Sequence, residues 1–507
     1  MTRADPGAVE VTGVTLDSRA VRPGDLYVAA PGARTHGARF ARAAVDRGAV
    51  AVLTDADGAL RCAADLEGAV VPVLVVASPR RVLGALAARA YGDPTAHLRL
   101  LGVTGTQGKT TTTRLAEGAL ASVGVRAGVI GTVGTRVAGE DVPSALTTPE
   151  APELHALFAV MREREVEACA MEVSSHALVM GRVDGVRFDV AAFTNLGRDH
   201  LDFHADIEDY FAAKASLFTP DRSGSALVNV DDPWGRRLVD RLRGAAEVPV
   251  RTFSVAGHFG TAADWRATDV QPTPSGSAFT AEGPGGAVPV EVGLPGAFNV
   301  SNALCALAGL VELGYPPELV ARGLSTVAGV PGRLEVVDAG QPFLAVVDYA
   351  HKPDAVEAVL RDLRERTPGR LVVVIGAGGD RDRGKRPLMG EVAARWADVL
   401  VVTDDNPRSE DPAVIRGEVL EGARRAGHHA ALHDVADRRA AIELGVEEVA
   451  GSAVGRARSG SERSPRDTVA VLGKGHETGQ EVAGVVHPFD DRVVLRAALD
   501  RRTAVLP

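Results

Sequence analysis

Short apolar runs, each closing on Gly, Asp, Asn, Ser or Thr, recur along the chain between Ala-, Leu- and Arg-rich stretches of helical period. The clearest are "GAVAVLTD" (48–55), "VPVLVVAS" (71–78), "LRLLGV" (98–103), "VEACAMEVSS" (166–175), "RFDVAAFTNL" (187–196), "GRLVVVIGAGGD" (369–380), "ADVLVVTDDNP" (397–407) and "DTVAVLGKGHE" (467–477). A strand covered on both faces needs no polar alternation, so these runs predict buried parallel strands with working loops at their carboxyl ends. Between the first two, "GALRCAADLEGA" (58–69) reads as a loop or short helix. Residues 250–295 break the pattern: turn signals and short alternating stretches there predict an antiparallel patch on the middle of the chain. "GSAVGRARSGSERSPRD" (451–467) lacks any period and reads as a surface loop. The fold class is α/β, built from Rossmann-like open sheets.

With 507 residues, three domains are the natural expectation. Boundaries fall near "YGDPTAHLRL" (91–100) and just before "GVPGRLEVVD" (329–338), giving domains 1–92, 93–330 and 331–507. A net charge of −10 argues against a broad nucleic-acid surface, while leaving room for a small anionic substrate held by a few local cations. Cys62, Cys169 and Cys305 are widely spaced, as reduced core residues of a cytoplasmic protein would be. The opening "MTRADPGAVE" has no secretory pattern, and no stretch approaches the ~18 apolar residues of a membrane span.

Candidate chemistry begins at "GVTGTQGKTTTTRL" (102–115), where a predicted strand runs into a Gly-rich turn and a helix. Position 103 is Val where a strict phosphate-loop pattern has Gly. The physics survives that departure. Gly105, Thr106 and Gly108 can turn backbone N–H groups toward phosphate oxygens at a helix start. Lys109 would hold the β and γ phosphates, with Thr110 on Mg²⁺ and Thr111 beside it. In "MEVSSHAL" (171–178), Glu172 ends an apolar strand, where a carboxylate is costly unless paired or metal-bound. "FTNLGRDHLDFH" (193–204) adds His200 beside Asp199, and "YFAAKASLF" (210–218) places Lys214 in a helix. Taken singly, a helix lysine is ordinarily just solvated surface, and a lone histidine is more often structural than a ligand.

The ordered set GxTGTxGKTTT, EVSSHAL, TNLxRDHLDxH, YxxAKxxLF, GxFNxxNxLxA, PGRLE, DYAHxPDA, GGDRDxGKRP, DNPR and GKGHE, from about residue 11 to residue 490, resembles the Mur ligases of peptidoglycan synthesis. The likeness is greatest to members that join a diamino acid to UDP-N-acetylmuramoyl-L-alanyl-D-glutamate. It implies an N-terminal domain for the UDP substrate, a central P-loop ATPase-type ligase domain, and a C-terminal domain for the incoming amino acid. It also implies that ATP, two Mg²⁺ ions and CO₂, bound as a carbamate on Lys214, serve the reaction. Thr110, Glu172, His200 and Lys214 would be metal ligands. Lys109, Lys214 and His200 would be the catalytic groups, acting by position and charge.

By the same resemblance Asn302 would contact adenine, with Arg333 and Asp348 on the phosphates and ribose. Ser18 and Arg19, in "LDSRAVRPGDLYVAAPGARTHGARF" (16–40), would meet the UDP part, and His36 stands where the family usually has Asp. Thr147, Thr148, Ser175 and Arg182 would hold the peptide and phosphate portions. Asp405, Asn406 and Arg408 of "DNPR" mark diaminopimelate rather than lysine, because Arg408 can grip a second carboxylate bidentately. Gly473, Glu477 and either Arg381 or Arg386 would complete that pocket. The expected protein is a monomeric cytoplasmic ligase forming an acyl phosphate. A lysine-adding relative, a folylpolyglutamate synthetase-like ligase, a P-loop kinase and a non-catalytic nucleotide-binding protein are the rival readings.

Overall fold

The computed structural model describes residues 9–32, 35–144, 146–201, 203–255, 263–273, 276–427, 430–457 and 467–503. The chain divides into two compact units, one of residues 1–268, 280–290 and 302–326, the other of 269–279, 291–301 and 327–507.

The first unit holds a small four-stranded parallel sheet in chain order, Gly13–Thr15, Asp25–Ala29, Ala51–Thr54 and Val73–Val75. Apolar clusters cover both faces of its inner strands. The run at 71–78 departs from expectation: it supplies an edge strand, with Leu74 38% and Val75 53% exposed. Residues 58–69 are mostly helix, within Ala56–Asp65. Gly84 lies so close to the carbonyl of Asp184 that a β-carbon there would collide, which locks helix Pro79–Ala90 to the larger sheet's layer.

That larger sheet has eleven strands. Its parallel centre runs Val250–Val255, Ser223–Asn229, Phe188–Phe193, Arg99–Thr104, Ala168–Glu172, Ala127–Ile130. The apolar runs read from sequence sit here, buried as expected of strands covered on both faces. The 250–295 region is only partly antiparallel. Val250–Val255 pairs in parallel with Ser223–Asn229 and with Trp265–Pro272. The two-residue link between Ser277–Gly283 and Gly286–Val292 allows only a hairpin, and Gly286–Val292 alternates buried and exposed positions.

The second unit is a six-stranded sheet. Strand Thr468–Leu472, late in the chain, slots between Leu344–Asp348 and Leu371–Ile375, and Val399–Val402 and Ala431–Asp434 follow outward. All these pairs are parallel, so the loops after Asp348, Leu472, Ile375 and Val402 open on one edge. Clusters of Val, Leu and Ile cover each face. The segment 451–467 reads as a loop in sequence, but its first seven residues continue helix Arg438–Ala457, whose Ala, Glu and Arg content supports a helix. Residues 458–466 lie outside the described residues. All three cysteines are buried and free. No helix among the described residues is long and apolar enough to cross a membrane.

Candidate active site

Strand Arg99–Thr104 delivers the chain into the Gly-rich turn, and helix Lys109–Ser122 begins at its end. Gly105 (φ +151°) and Gly108 (φ +86°) take conformations that side chains rarely adopt. A β-carbon on either would strike a neighbour, the Thr194 hydroxyl at Gly105 and Asn302 Oδ1 at Gly108. The Thr194–Asn195 segment braces the loop from the next strand. Thr194 Oγ1 donates to Gln107 O (2.6 Å), Asn195 Oδ1 accepts from Gln107 N (2.9 Å), and Asn195 O accepts from Thr106 N (2.9 Å). Asn229 Nδ2 in turn holds Thr194 O at 2.8 Å. Thr194 and Asn195 stand in the quoted TNL motif, valued in the sequence only for His200, whereas Asn229 lies on the next strand.

Lys109 Nζ donates to the carbonyls of Gly105 (2.8 Å) and Thr106 (3.2 Å). Lys214, 1% exposed on helix Ile207–Ala215, donates to the same Gly105 carbonyl at 2.8 Å and lies 4.5 Å from the centre of the Tyr210 ring. Two lysines therefore share one acceptor. Tyr210 also meets Thr106 Oγ1 (3.2 Å), and burial raises its phenol above the usual range.

Glu172, 1% exposed, ends its strand with Oε1 accepting from Thr132 N (2.7 Å) and Oε2 from Thr132 Oγ1 (3.1 Å). Thr110 and Thr111 are buried at the helix start. His200 takes φ +52° and pairs with Asp199 at 3.1 Å. Its ring meets His176 edge-on, and His176 stacks on Phe203. Asn302 lies in the interior of helix Ala297–Glu312, so it is no helix cap; its carboxamide stands beside Gly108.

Magnesium prefers hard oxygen donors and is commonly held by one or two carboxylates plus substrate phosphates. A buried carboxylate at Glu172 and the hydroxyl of Thr110 fit that donor type. Among the described residues no group of three or more His, Cys, Asp or Glu could by itself hold a metal ion. The residues present thus fit an ion whose shell a nucleotide completes.

Around the peptide-binding candidates, Thr148 Oγ1 donates to Glu172 O (2.9 Å), and Thr147 Oγ1 lies 3.1 Å from Thr132 Oγ1. Arg182 donates to Glu150 (3.0 Å) and to Thr148 O (3.3 Å). Ser175 is 1% exposed and bonded to His204, a residue sequence reading passed over. In the small sheet's loops, Arg19 is exposed and holds Asp17 through two hydrogen bonds, which keeps that carboxyl below its ordinary range; Ser18 is half-buried beside it. His36 Nδ1 accepts from Ala38 N (3.0 Å), capping the short helix Gly37–Phe40, and Nε2 meets Asp55.

In the second unit, Asp348 Oδ1 and Oδ2 accept from Ala350 N and Leu334 N, each at 2.7 Å. Burial raises its carboxyl, against the opposing charge of Arg333. The Arg333 guanidinium stacks 4.6 Å over Tyr349, whose phenol burial pushes up to about 12. Gly475 (φ +55°) sits against Tyr349, and Gly332 (φ +65°) against His476, so PGR, DYAH and GKGHE interlock.

Asn406 ties the other pocket residues together. Its Nδ2 donates to Asp405 Oδ1 (3.0 Å) and Glu477 Oε2 (2.9 Å), while Oδ1 accepts from fully buried Lys474 (3.1 Å) and from Glu481 N (2.9 Å). Gly473 (φ +115°) leaves room for the Asp405 carboxylate. Arg408, at φ +52°, donates to Gly379 O (2.6 Å) and faces Glu481 at 3.3 Å. Arg381 and Arg386 differ sharply. Arg386 is fully buried and committed to Glu410 (2.7 and 3.0 Å), Glu418 (2.8 Å) and Gly378 O, whereas Arg381 is exposed. A buried pair, Arg438 and Asp491 (2.7 Å), braces the strand ends through Leu472 O and was not visible as a motif.

Three family models match the chain: the Mur ligase family, catalytic domain over residues 10–91, the Mur ligase middle domain over 103–310, and the Mur ligase, glutamate ligase domain over 332–455. A Streptomyces avermitilis protein named UDP-N-acetylmuramoyl-L-alanyl-D-glutamate–2,6-diaminopimelate ligase is 56% identical, over 97% of this chain and 93% of its own. A Streptomyces coelicolor protein of the same name is 54% identical, over 98% and 94%. A solved structure of a ligase with that name aligns at TM-score 0.68 and 33% identity, covering 97% of this chain and 95% of the other.

Proposed function

The chain belongs to the Mur ligase family, and from that membership we propose that it adds diaminopimelate to UDP-N-acetylmuramoyl-L-alanyl-D-glutamate at the expense of ATP in peptidoglycan synthesis. The D-glutamyl carboxylate attacks the γ phosphorus, releasing ADP and leaving an acyl phosphate. An amine of diaminopimelate then attacks the acyl carbon, and inorganic phosphate departs as the amide forms. Little covalent chemistry falls to the protein, which supplies position and charge.

The observation that carries the reading is the convergence of Lys109 and Lys214 on the Gly105 carbonyl. Two ammonium groups on one acceptor repel at short range. Carbamylation of Lys214 turns that repulsion into attraction, and the carbamate N–H can still donate to Gly105. The product is an anionic oxygen donor deep in the site. With Glu172, Thr110 and His200 it would hold magnesium, which neutralises phosphate charge when bound. Lys109 would neutralise the β and γ phosphates, and Asn302, beside Gly108, would take the adenine.

In the second unit, Arg333 and Asp348 would serve the nucleotide, and Asp405, Asn406, Arg408, Gly473 and Glu477 the diamino acid. Arg381 joins them rather than Arg386, which is fully buried and whose terminal nitrogens are spent on Glu410, Glu418 and the Gly378 carbonyl. Lysine lacks the carboxylate that Arg408 would grip. A polar group left without its partner rejects such an analogue by about 10⁴-fold in favourable cases. Ser18 and Arg19 would meet the UDP moiety, and Thr147, Thr148, Ser175 and Arg182 the peptide. The enzyme would act as a cytoplasmic monomer. Phosphate release, measured with the UDP-dipeptide and meso-diaminopimelate, LL-diaminopimelate or L-lysine in parallel, tests the reading. Release with a diaminopimelate isomer but not lysine is expected; release without any amino acid would sink it.

A further inference from the structure

Lys474 is a fully buried lysine to which the ligation scheme gives no part. It follows strand Thr468–Leu472, between two glycines of positive φ, Gly473 at +115° and Gly475 at +55°. A β-carbon on Gly473 would strike Asp405 Oδ2, and one on Gly475 would strike Tyr349. These glycines let the chain turn tightly against its neighbours while the lysine between them points inward. A lysine kept wholly from water is costly, and an apolar side chain of its size is often as stabilising there. Its presence points to a task other than stability.

The acceptors of Lys474 are two residues of the pocket proposed for the diamino acid. Nζ lies 3.1 Å from Asn406 Oδ1 and 3.5 Å from Glu477 Oε2. Around them the Asn406 carboxamide is saturated. Its oxygen accepts from Lys474 and from Glu481 N (2.9 Å), and its nitrogen donates to Asp405 Oδ1 (3.0 Å) and Glu477 Oε2 (2.9 Å). A carboxamide has two oxygen lone pairs and two N–H groups, so all four are used. The backbone N–H of Glu481 settles which end is oxygen. The Asn406 side chain thus acts on the pocket by placing Asp405 and Glu477. Both contacts to Glu477 fall on Oε2, and its side chain keeps 32% of its surface exposed. Oε1 is the oxygen left for a ligand, and among the groups of a diamino acid an ammonium suits it.

We propose that Lys474 is a positioning residue, which with Asn406 holds Glu477 by one oxygen and so presents the other to an ammonium group of the incoming diamino acid. The proposal rests on the ligation reading above. Its test is steady-state kinetics on the parent, Lys474→Met, Lys474→Gln, Glu477→Gln and the double variants K474M/E477Q and K474Q/E477Q. The buried Arg438 also attracts Asp405 and Glu477, so these carboxylates keep a cation when Lys474 is replaced. Lys474→Met should raise KM for diaminopimelate about tenfold, the scale of one hydrogen bond to a charged group, with kcat little changed. KM for ATP and for the UDP-dipeptide should stay at the parent values. Lys474→Gln, which keeps an N–H donor on a shorter side chain, should recover part of the loss. Beside Glu477→Gln, the penalty of either Lys474 replacement should largely vanish. A folded Lys474→Met with unchanged KM for diaminopimelate overturns the proposal. A rise in KM for all three substrates together does so too, since that marks a purely structural role. Should thermal melting show Lys474→Met unfolded, Lys474→Gln decides: a penalty that persists in full beside Glu477→Gln overturns the proposal. Any of these results on a parent that ligates leaves the ligation reading standing. A parent that releases no phosphate with any diaminopimelate isomer overturns that reading, and the proposal with it.

Discussion

Single residues decide this site through backbone geometry as much as through side chains. At Gly108 a left-handed backbone and the Asn302 carboxamide leave no room for a methyl group. Gly108→Ala should therefore weaken nucleotide binding about five- to thirtyfold, from the ~1–2 kcal/mol of left-handed strain, in titration calorimetry with ADP. Arg408 is set by a left-handed backbone too, between Gly379 and Glu481. Hydrogen bonds to charged groups are worth about 1.5–3 kcal/mol, so Arg408→Ala should lower kcat/KM for diaminopimelate roughly ten- to hundredfold and raise the low rate with lysine, since no cation is then left unpaired. Lys214→Ala should stop ligation, and short carboxylic acids should restore part of it; an alanine variant as fast as the parent would refute the carbamate role. The candidate residues could be named from sequence because a phosphate loop, and an Arg proposed to grip a carboxylate, need particular types in a particular order. His204, Thr194, Asn195 and Lys474 could not. Their work depends on which strand ends lie side by side, and spacing along the chain does not encode that.

Between elements, the tightest join is made by helices Lys385–Trp396 and Pro412–Arg425. Gly390 packs on the Val419 carbonyl and Gly422 on the Pro387 carbonyl, so neither tolerates a β-carbon without the helices parting. Arg386 bolts the same pair, with Glu410 and Glu418 on its guanidinium. Its hydrogen bonds bring the Glu410 carboxyl down to about 2 from an ordinary 4.5. A lowered folded-state value means that this contribution is complete above pH ~4.5 and fades as pH falls toward ~2. Denaturant unfolding across that window should show a loss that Arg386→Met lacks. At neutral pH the same variant should be destabilised by ~1–3 kcal/mol, because Glu410 and Glu418 then keep only the more exposed Arg383 as a cation. The buried strands were legible from uninterrupted apolar runs. The edge position of Val73–Val75 was not, since a run of Val and Leu reads alike at the margin and at the centre of a sheet. Nor was helix Arg438–Ala457, whose Gly and Ser residues near its end mimic a loop in composition.

For the whole molecule, the division into two units has a thermodynamic signature. Every residue assigned to diaminopimelate belongs to the second unit, while Lys109, Thr110, Asn302 and Lys214 belong to the first. A ligand that binds only folded protein stabilises what it binds, by about 2.7 kcal/mol at a hundred times its Kd. Calorimetric melting should then show diaminopimelate raising the second unit's transition selectively, and a single transition shifted equally by either ligand would refute that assignment. The α/β class was legible at this scale because burial on both faces marks a strand regardless of its partners. Strand order was not, since inserting Thr468–Leu472 between earlier strands leaves no trace in hydropathy. The brace that Thr194 and Asn195 give the phosphate loop has a kinetic meaning. A cradle already hydrogen-bonded to its own sheet orders almost no chain when ATP arrives, so uptake should rise linearly with nucleotide concentration, without the plateau that a slow rearrangement would impose.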